Sequence, residues 1–185
     1  MAYKFEAAEH VTCGEKLEFS DFKTEIDGLV KNSKHITTVG WRVDTGYDLY
    51  DYLTNNKDSI TIVEIFGPNI ACFNLSKYKN VETINDDVRN FESFLSTEQR
   101  DCIVWQDGPE HLDMEESKKI IRKFQKDFKS IIIATPNGIY EQGALYGNEA
   151  ERHLSSWYKN DYEELGFKVK EIGGIFLIGY WKNEF

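Results

Sequence analysis

Cysteine, proline and positive charge are all scarce in this chain, and each shortage removes a class of protein. Three cysteines, Cys13, Cys72 and Cys102, occur in 185 residues. Their number is odd, no C-x-x-C spacing joins them, and two lie inside apolar segments where a thiol acts as a small core side chain. A reducing, cytoplasmic setting is expected. Only three prolines occur, Pro68, Pro109 and Pro136, each just after a predicted strand, and no linker, repeat or low-complexity tract is present. Lys and Arg number 22 against 32 Asp and Glu, a net charge of -10. A partner held through its phosphates would meet a repulsive field, so nucleic acid is not expected. No apolar run approaches the roughly 18 residues that span a bilayer, and no basic-then-apolar leader opens the chain. Neither a membrane nor export is expected, and the oligomeric state is left open.

What is present suits one well-filled core. Hydrophobic residues make up 41% and aromatics 14% of a chain too short for two ordinary domains. Short β-branched runs, HITTVGW, SITIVEI, NVETI, RDCIVW and SIIIAT, have strand length and read as buried on both faces. Between them GYDLYDYLTNN, PNIACFNLSKY, VRNFESFLSTEQ and MEESKKIIRKFQKDF have helical spacing. Such alternation predicts an α/β fold, a three-layer, doubly wound Rossmann-like sheet, because parallel neighbours need crossover helices. After a further helix, YKNDYEELGF, the strands KVKEI and IFLIGYW are joined by Gly173 and Gly174, a pair suited to a tight antiparallel hairpin. Seven strands are predicted, mostly parallel, with one reversed near the C-terminal edge. An alternative register, with TIVEIFGPN as the first strand, leaves too few residues before DCIVW for two strand-helix units. Residues 1–34 stand outside this rhythm. Leu17, Phe22, Ile26, Leu29 and Val30 form an amphipathic pattern that predicts a helical cap or lid ahead of the α/β domain over 35–185.

Open α/β sheets bind ligands beyond the carboxyl ends of their strands, where strand order reverses. After the first strand, Gly40 and Gly46 permit a tight turn and close backbone approach to a nucleotide-like ligand, with Tyr47 beside them. Glu64 ends the second strand at about the 20-residue spacing at which a carboxylate meets a ribose diol. Asp86 and Asp87 follow the third strand, ahead of Val88, where they either meet an adenine amino group or cap the next helix. Gln106 and Asp107 follow the fourth. These eight residues, with Val88, are the expected cofactor contacts.

The blocks TTVGWRVDTGYDLYDYL, ITIVEI, INDDVRNF, DCIVWQDGPEHL, IIIATPNG and WYKNDYEELGFKV, read in that order, resemble the class I S-adenosylmethionine-dependent methyltransferases over residues 36–180. TPNG, ERHLSSW and DYEELGF stand in the expected places. The glycine loop departs from the family's pattern of an acidic residue followed by G-x-G-x-G. Thr38 holds the acidic place and two glycines are spread over GWRVDTG, with Asp44 as the candidate replacement. The resemblance implies S-adenosylmethionine as cofactor and methyl transfer to a nucleophilic oxygen, nitrogen or carbon. It also directs attention to Asp107-x-x-Glu110-His111 and to the later His153. The small-RNA methyltransferases and the ubiquinone-biosynthesis O-methyltransferases are similar in carrying an acidic-x-x-Glu-His motif with a divalent metal, which here implies Asp107, Glu110, His111 and His153 as ligands. A Glu-His pair opening a helix also serves as a cap, and without metal His111 or His153 remains the general base, with Glu110 beside it. His10 and His35 have no such setting.

The connection PNGIYEQGALYGNEAERHLSSW, long for a compact domain, is the expected acceptor site. Glu141, Gln142, Tyr146, Asn148 and Arg152 offer hydrogen bonds to a small polar, hydroxylated or glycan-like molecule. Tyr140 and Trp157 offer a flat face, although Trp157 also reads as a core anchor for the last helix. Three functions therefore remain open: a methyltransferase, a methyltransferase-like binding protein that has lost catalysis through its altered loop, and a nicotinamide-dependent oxidoreductase.

Overall fold

Side-chain alternation along the two central strands sets the layers. In β4 (Cys102–Gln106), Cys102 and Val104 enter one core while Ile103 and Trp105 enter the other, as the two-residue period of a strand requires. In β5 (Ser130–Pro136), Ile131 and Ile133 are separated from Ile132 and Ala134 in the same way. All eight are buried. Strands buried on both faces need cover above and below, which a parallel sheet receives from its crossover helices.

The computed structural model describes residues 24–40, 57–71, 79–145 and 147–183. Its other strands are β1 (His35–Val39), β2 (Ser59–Val63), β3 (Val81–Ile84), β6 (Lys168–Ile172) and β7 (Phe176–Lys182). They form one seven-stranded sheet in the order β3-β2-β1-β4-β5-β7-β6. β1 to β5 pair in parallel, and β7 runs antiparallel to both its neighbours. HITTV lies between β2 and β4, so chain order reverses there, and the register with TIVEI first is excluded. Gly173 and Gly174 both have positive φ, 59° and 78°. The hairpin turn is one residue longer than expected, because Ile172 pairs with Phe176 and Ile175 stays in the turn.

One face of the sheet is covered by α3 (Phe91–Phe94), α4 (Met114–Asp127) and α5 (Lys159–Glu164). The buried positions of α4, Ser117, Ile120, Ile121 and Phe124, follow the spacing of one helical face, and Asp113 caps its start by accepting from Glu115 N at 3.0 Å. The other face receives α1, residues 24–30, whose Ile26 and Val30 are fully buried against Ile36, Ile60 and Ile62. Each contributes about 1.5–3 kcal/mol by leaving water. α1 is held at its carboxyl end by Lys57, whose Nζ donates to the carbonyls of Val30 (2.6 Å), Lys31 (3.3 Å) and Ser33 (2.9 Å); burial lowers the pKa of this ammonium. The rest of the expected N-terminal cap, with Leu17 and Phe22, lies outside the described residues, as do the helix expected over GYDLYDYLTNN up to Asn56 and residues 72–78 beyond α2 (Gly67–Ala71).

The helix expected over VRNFESFLSTEQ is instead three short pieces: a 3-10 turn at Val88–Asn90, α3, and a second 3-10 turn at Glu98–Arg100. Arg100 reaches back to the carbonyls of Glu92 (3.2 Å) and Leu95 (2.8 Å), closing the helix end. Gln99 turns inward to Thr61 (3.0 Å) and to Glu82. No helix among the described residues is long and apolar enough to cross a membrane.

Asp101 ties the strand starts together. Its Oδ2 accepts from Lys34 N (2.8 Å) and His35 N (3.3 Å), and its Oδ1 from Lys129 Nζ (3.1 Å). Burial by itself would raise this carboxyl, but the two amides and the ammonium outweigh it and hold its pKa below the ordinary aspartate value. A depressed carboxyl stabilises the fold above the unfolded-state pKa and loses that contribution as pH falls through the folded value. Asp101→Asn is expected to lower the urea unfolding free energy by about 1–3 kcal/mol at neutral pH, with the gap to wild type closing as the medium is acidified.

Candidate functional site

A cleft of about 1050 Å³ opens beyond the carboxyl ends of the central strands, where chain order reverses between β1 and β4. This is the position at which doubly wound sheets take their ligands, and the volume reaches the top of the usual range for small-molecule sites, about 300–1,000 Å³.

Gly40 closes β1 with φ of 76°, its N–H bonded to the Val63 carbonyl at 2.9 Å. A left-handed residue at that point needs glycine. Thr38, in the place of the usual acidic residue, is buried in β1 and lines the cleft. Glu64 follows β2 directly and is 5% exposed, its Oε1 accepting from Phe66 N at 2.7 Å. Asn85 steadies the same turn by donating to the Glu64 carbonyl at 2.7 Å. Asp86 accepts from Asp87 N (2.7 Å) and Asn90 Nδ2 (2.9 Å). Asp87 caps the 3-10 turn and pairs with Arg89, which also meets Glu116 at 3.1 Å. Burial opposes ionisation of Asp87, but the guanidinium and amide of Arg89 prevail and keep its pKa low. The capping role is thus realised, and Asp86, Asp87 and Val88 also line the cleft. Gln106 Oε1 is buried there without a hydrogen-bond partner. Gly46, Tyr47 and Asp44 lie outside the described residues.

Immediately beyond β4 the backbone is strained. Asp107 has φ of 45°, a conformation costing about 1–3 kcal/mol for residues other than glycine and kept chiefly at functional sites. Its N–H is held by the Ala134 carbonyl at 2.9 Å, and its Oδ2 accepts from Gln106 Nε2 at 3.2 Å. Gly108 lies against the indole of Trp105 so closely that an added Cβ would sit 1.8 Å from Nε1. Pro109–His111 then forms a 3-10 turn with proline at its start.

This turn gathers the distant loop that follows β5. Leu154 N and Ser155 N both donate to the Glu110 carbonyl, at 2.7 and 3.0 Å. The Pro109 carbonyl accepts from Ser117 Oγ (2.8 Å) and Ser155 Oγ (3.2 Å), and Trp157 Nε1 donates to Ser155 Oγ at 3.2 Å. His153 is thereby brought against His111, the rings 4.7 Å apart between centroids and inclined at 74°. His111 Nδ1 donates to the Arg152 carbonyl at 3.3 Å and His153 Nδ1 to the Tyr140 carbonyl at 2.6 Å. A carbonyl only accepts, so each ring carries a proton on Nδ1, which leaves the lone pair of the neutral ring on Nε2. Glu110 is 2% exposed, and neither carboxylate oxygen has a hydrogen-bond partner. Burial, reinforced by the Asp107 charge, pushes its pKa well above the ordinary glutamate value.

Donor atoms of Glu110, His111 and His153 all lie within 4.8 Å of one another. Ligands around one ion with bonds of about 2.0–2.2 Å stand about 3.0–3.6 Å apart when adjacent and about 4.4 Å apart when opposite, so the three side chains are close to ligand spacing and would draw inward around an ion. Asp107 is not part of it. Of the expected acceptor contacts, Gln142 and Asn148 line the cleft, but their side chains serve the loop itself, Gln142 donating to the Glu151 carbonyl (2.6 Å) and Asn148 accepting from Ala150 N (3.1 Å). Arg152 pairs with Glu149 at 3.0 Å and, with Glu141, is absent from the lining; Tyr146 is outside the described residues. Trp157 is fully buried against Tyr162, a core anchor and no stacking face. His35 bonds Ser59 at 2.8 Å, away from the cleft lining. Reading the sequence did not single out Gly108, Ser155 or Asn85; the Gly-Pro step before Glu110 was the one local hint of a constrained backbone.

No protein-family model and no curated protein matches the sequence. Solved structures do. The methyltransferase domain of bacterial CtHen1 is similar over 90% of this chain and 100% of its own, with TM-score 0.63 and 17% identity. The N-terminal domain of EvdMO1, solved in the presence of SAH and D-fucose, covers 98% and 90% at TM-score 0.62 and 14% identity. Magnesium protoporphyrin IX methyltransferase (ChlM) from Synechocystis PCC 6803, with bound SAM, covers 94% and 85% at TM-score 0.56 and 13% identity. The shared feature is the fold. It is the Rossmann-like fold of methyltransferases.

Gly108→Ala is expected to destabilise the protein by about 1–3 kcal/mol through overpacking and to disturb the near-ultraviolet circular dichroism of the buried Trp105, with thermal unfolding and dichroism as the measurements.

Proposed function

We propose that this protein is an S-adenosylmethionine-dependent methyltransferase that methylates a hydroxyl of a small polar, hydroxylated or glycan-like acceptor. The observation that carries this reading is the meeting of Glu64 and the Glu110–His111–His153 group in one cleft of about 1050 Å³. Neighbours of the same fold solved with SAM or SAH support it.

The residues present fit the cofactor. Glu64 would accept from the two ribose hydroxyls, Asp86 from the adenine amino group beside Val88, and the unpartnered Gln106 Oε1 from the ammonium of the methionine portion, with Asp107 and the Asp87 turn flanking them. Gly40 lets the backbone approach the ligand, and Gly46 and Tyr47 are assigned to the same ligand. Bound there, S-adenosylmethionine supplies an electrophilic methyl on a sulfonium. The protein aligns donor with acceptor and excludes water, the main contributions a displacement of this kind requires. Without a metal, His153 or His111 takes the hydroxyl proton on Nε2, and the carbonyl behind each Nδ1 holds the ring in that tautomer.

The same three side chains fit a divalent cation. Glu110 offers two buried oxygens with no other partner, and backbone carbonyls behind both imidazoles are the supports that metal-binding histidines normally have. When bound, such an ion lowers the pKa of an acceptor hydroxyl and offsets developing negative charge.

Calorimetric titration with S-adenosylhomocysteine is expected to give micromolar binding. Glu64→Gln should weaken it roughly 10- to 100-fold, as expected for about 1.5–3 kcal/mol of charge-assisted hydrogen bonding. An absence of heat at about 1 mM ligand, the affinity of a negligible site, sinks the enzymatic reading and leaves a binding protein of the same fold.

For the cation, saturating manganese is expected to raise the melting temperature by about 5 °C or more. His111→Ala and His153→Ala should each erase that rise and any chelator-sensitive activity. A rise that survives both substitutions would falsify the assignment of the ligands.

A further inference from the structure

The cleft mouth carries a chemistry that the proposed reaction does not require. Ile139, Tyr140, Leu154 and Ile175 are 75%, 61%, 60% and 44% exposed, and all four line the cleft. They come from three separated stretches of chain. Asn137 N donates to the Ile175 carbonyl at 2.8 Å, joining the end of β5 to the β6–β7 turn, and the bonds from Leu154 and Ser155 to Glu110 bring in the third stretch. Tyr140 lies 5.7 Å from the His153 ring between centroids, so the apolar rim runs directly into the Glu110–His111–His153 group. Exposed apolar side chains clustered at a concave site are a mark of ligand contact.

The charges on the same walls narrow the ligand further. Among the described residues, eight carboxylates line the cleft against one guanidinium, Arg89, which is held between Asp87 and Glu116. A divalent ion at Glu110 offsets two of those charges. Arg152, the one cation of the acceptor loop, is paired with Glu149 and does not line the cleft. Among the described residues, a phosphorylated acceptor or an RNA end would meet no basic residue of the lining other than the doubly paired Arg89 to receive its phosphates.

We infer that the acceptor is amphipathic and carries no phosphate: a hydroxyl-bearing end faces Glu110, His111 and His153 while an uncharged apolar body, aromatic or aliphatic, rests on Ile139, Tyr140, Leu154 and Ile175. This inference rests on the methyltransferase reading and adds the substrate class to it.

The test uses the full chain, the neutral polarity-sensitive dye prodan as the apolar probe, and a short single-stranded oligoribonucleotide as the phosphate-bearing rival, at about 0.15 M salt. Prodan is expected to bind with blue-shifted emission both without and with saturating S-adenosylhomocysteine. The double variant Ile139→Ser/Leu154→Ser should weaken the dye by roughly tenfold or more while its calorimetric affinity for S-adenosylhomocysteine, which also reports that it is folded, is unchanged. No oligoribonucleotide binding is expected. Dye affinity unaltered in the variant, dye expelled by S-adenosylhomocysteine, or oligoribonucleotide binding as tight as dye binding each overturns the inference while leaving the cofactor reading intact. Rim-dependent dye binding in a protein that takes no S-adenosylhomocysteine locates the failure in the methyltransferase reading instead, and the inferred acceptor falls with it.

Discussion

Two adjacent backbone carbonyls, those of Pro109 and Glu110, hold the candidate site together. Between them they accept five hydrogen bonds: three from the amides of Leu112, Leu154 and Ser155, and two from the hydroxyls of Ser117 and Ser155. These bonds join the end of β4, the start of α4 and a loop more than forty residues further along the chain. The strained Asp107 and the Gly108–Trp105 contact aim the turn, and Trp157 pins the far end of the loop into the core. Backbone bonds of this kind tolerate wide variation in the side chains around them, which allows the loop to be specialised without loss of its anchorage.

The anchorage sets the electrostatics. Glu110 is drawn below the surface with its carboxylate oxygens unmatched, while the imidazoles stand over it, each steadied from behind by a carbonyl. A buried carboxylate without partners is costly, several kcal/mol if it stays ionised. Such a residue is tolerable where a cation or a proton occupies it, and its burial is therefore the strongest local sign that the turn serves chemistry as well as packing. The acidic wall around it acts in the same sense, favouring cationic ligands such as a sulfonium and disfavouring phosphates.

Much of the architecture was legible before any coordinates. The period-two strands, the helices between them and the Gly173–Gly174 hairpin specify a doubly wound sheet with one reversed strand, because apolar periodicity is a local property of the chain. The segment at Val88–Gln99 was less legible, since its ends depend on Arg100 reaching back to carbonyls and on Gln99 reaching Thr61 and Glu82 across the sheet. Of the expected site residues, Gly40, Glu64, Glu110, His111 and His153 line the cleft. Glu141 and Arg152 were equally plausible polar residues in the same loop, yet they stand apart from the cleft lining. Nothing in local sequence distinguishes a polar side chain that faces a ligand from one that braces its own loop, as Gln142 and Asn148 do.

The sequence by itself determined the layer structure, the strand count, the acidic character of the molecule and the approach of the strand ends to one edge, all of which follow from hydrophobic period, turn residues and formal charge. Only the tertiary structure decided that His153 meets His111, that Glu110 is buried and unpaired, and that Ile139, Tyr140, Leu154 and Ile175 share one rim. Those relations are contacts between residues far apart in the chain, fixed by the Pro109 and Glu110 carbonyls and by the Asn137–Ile175 bond, and no periodicity or spacing in a linear sequence encodes them.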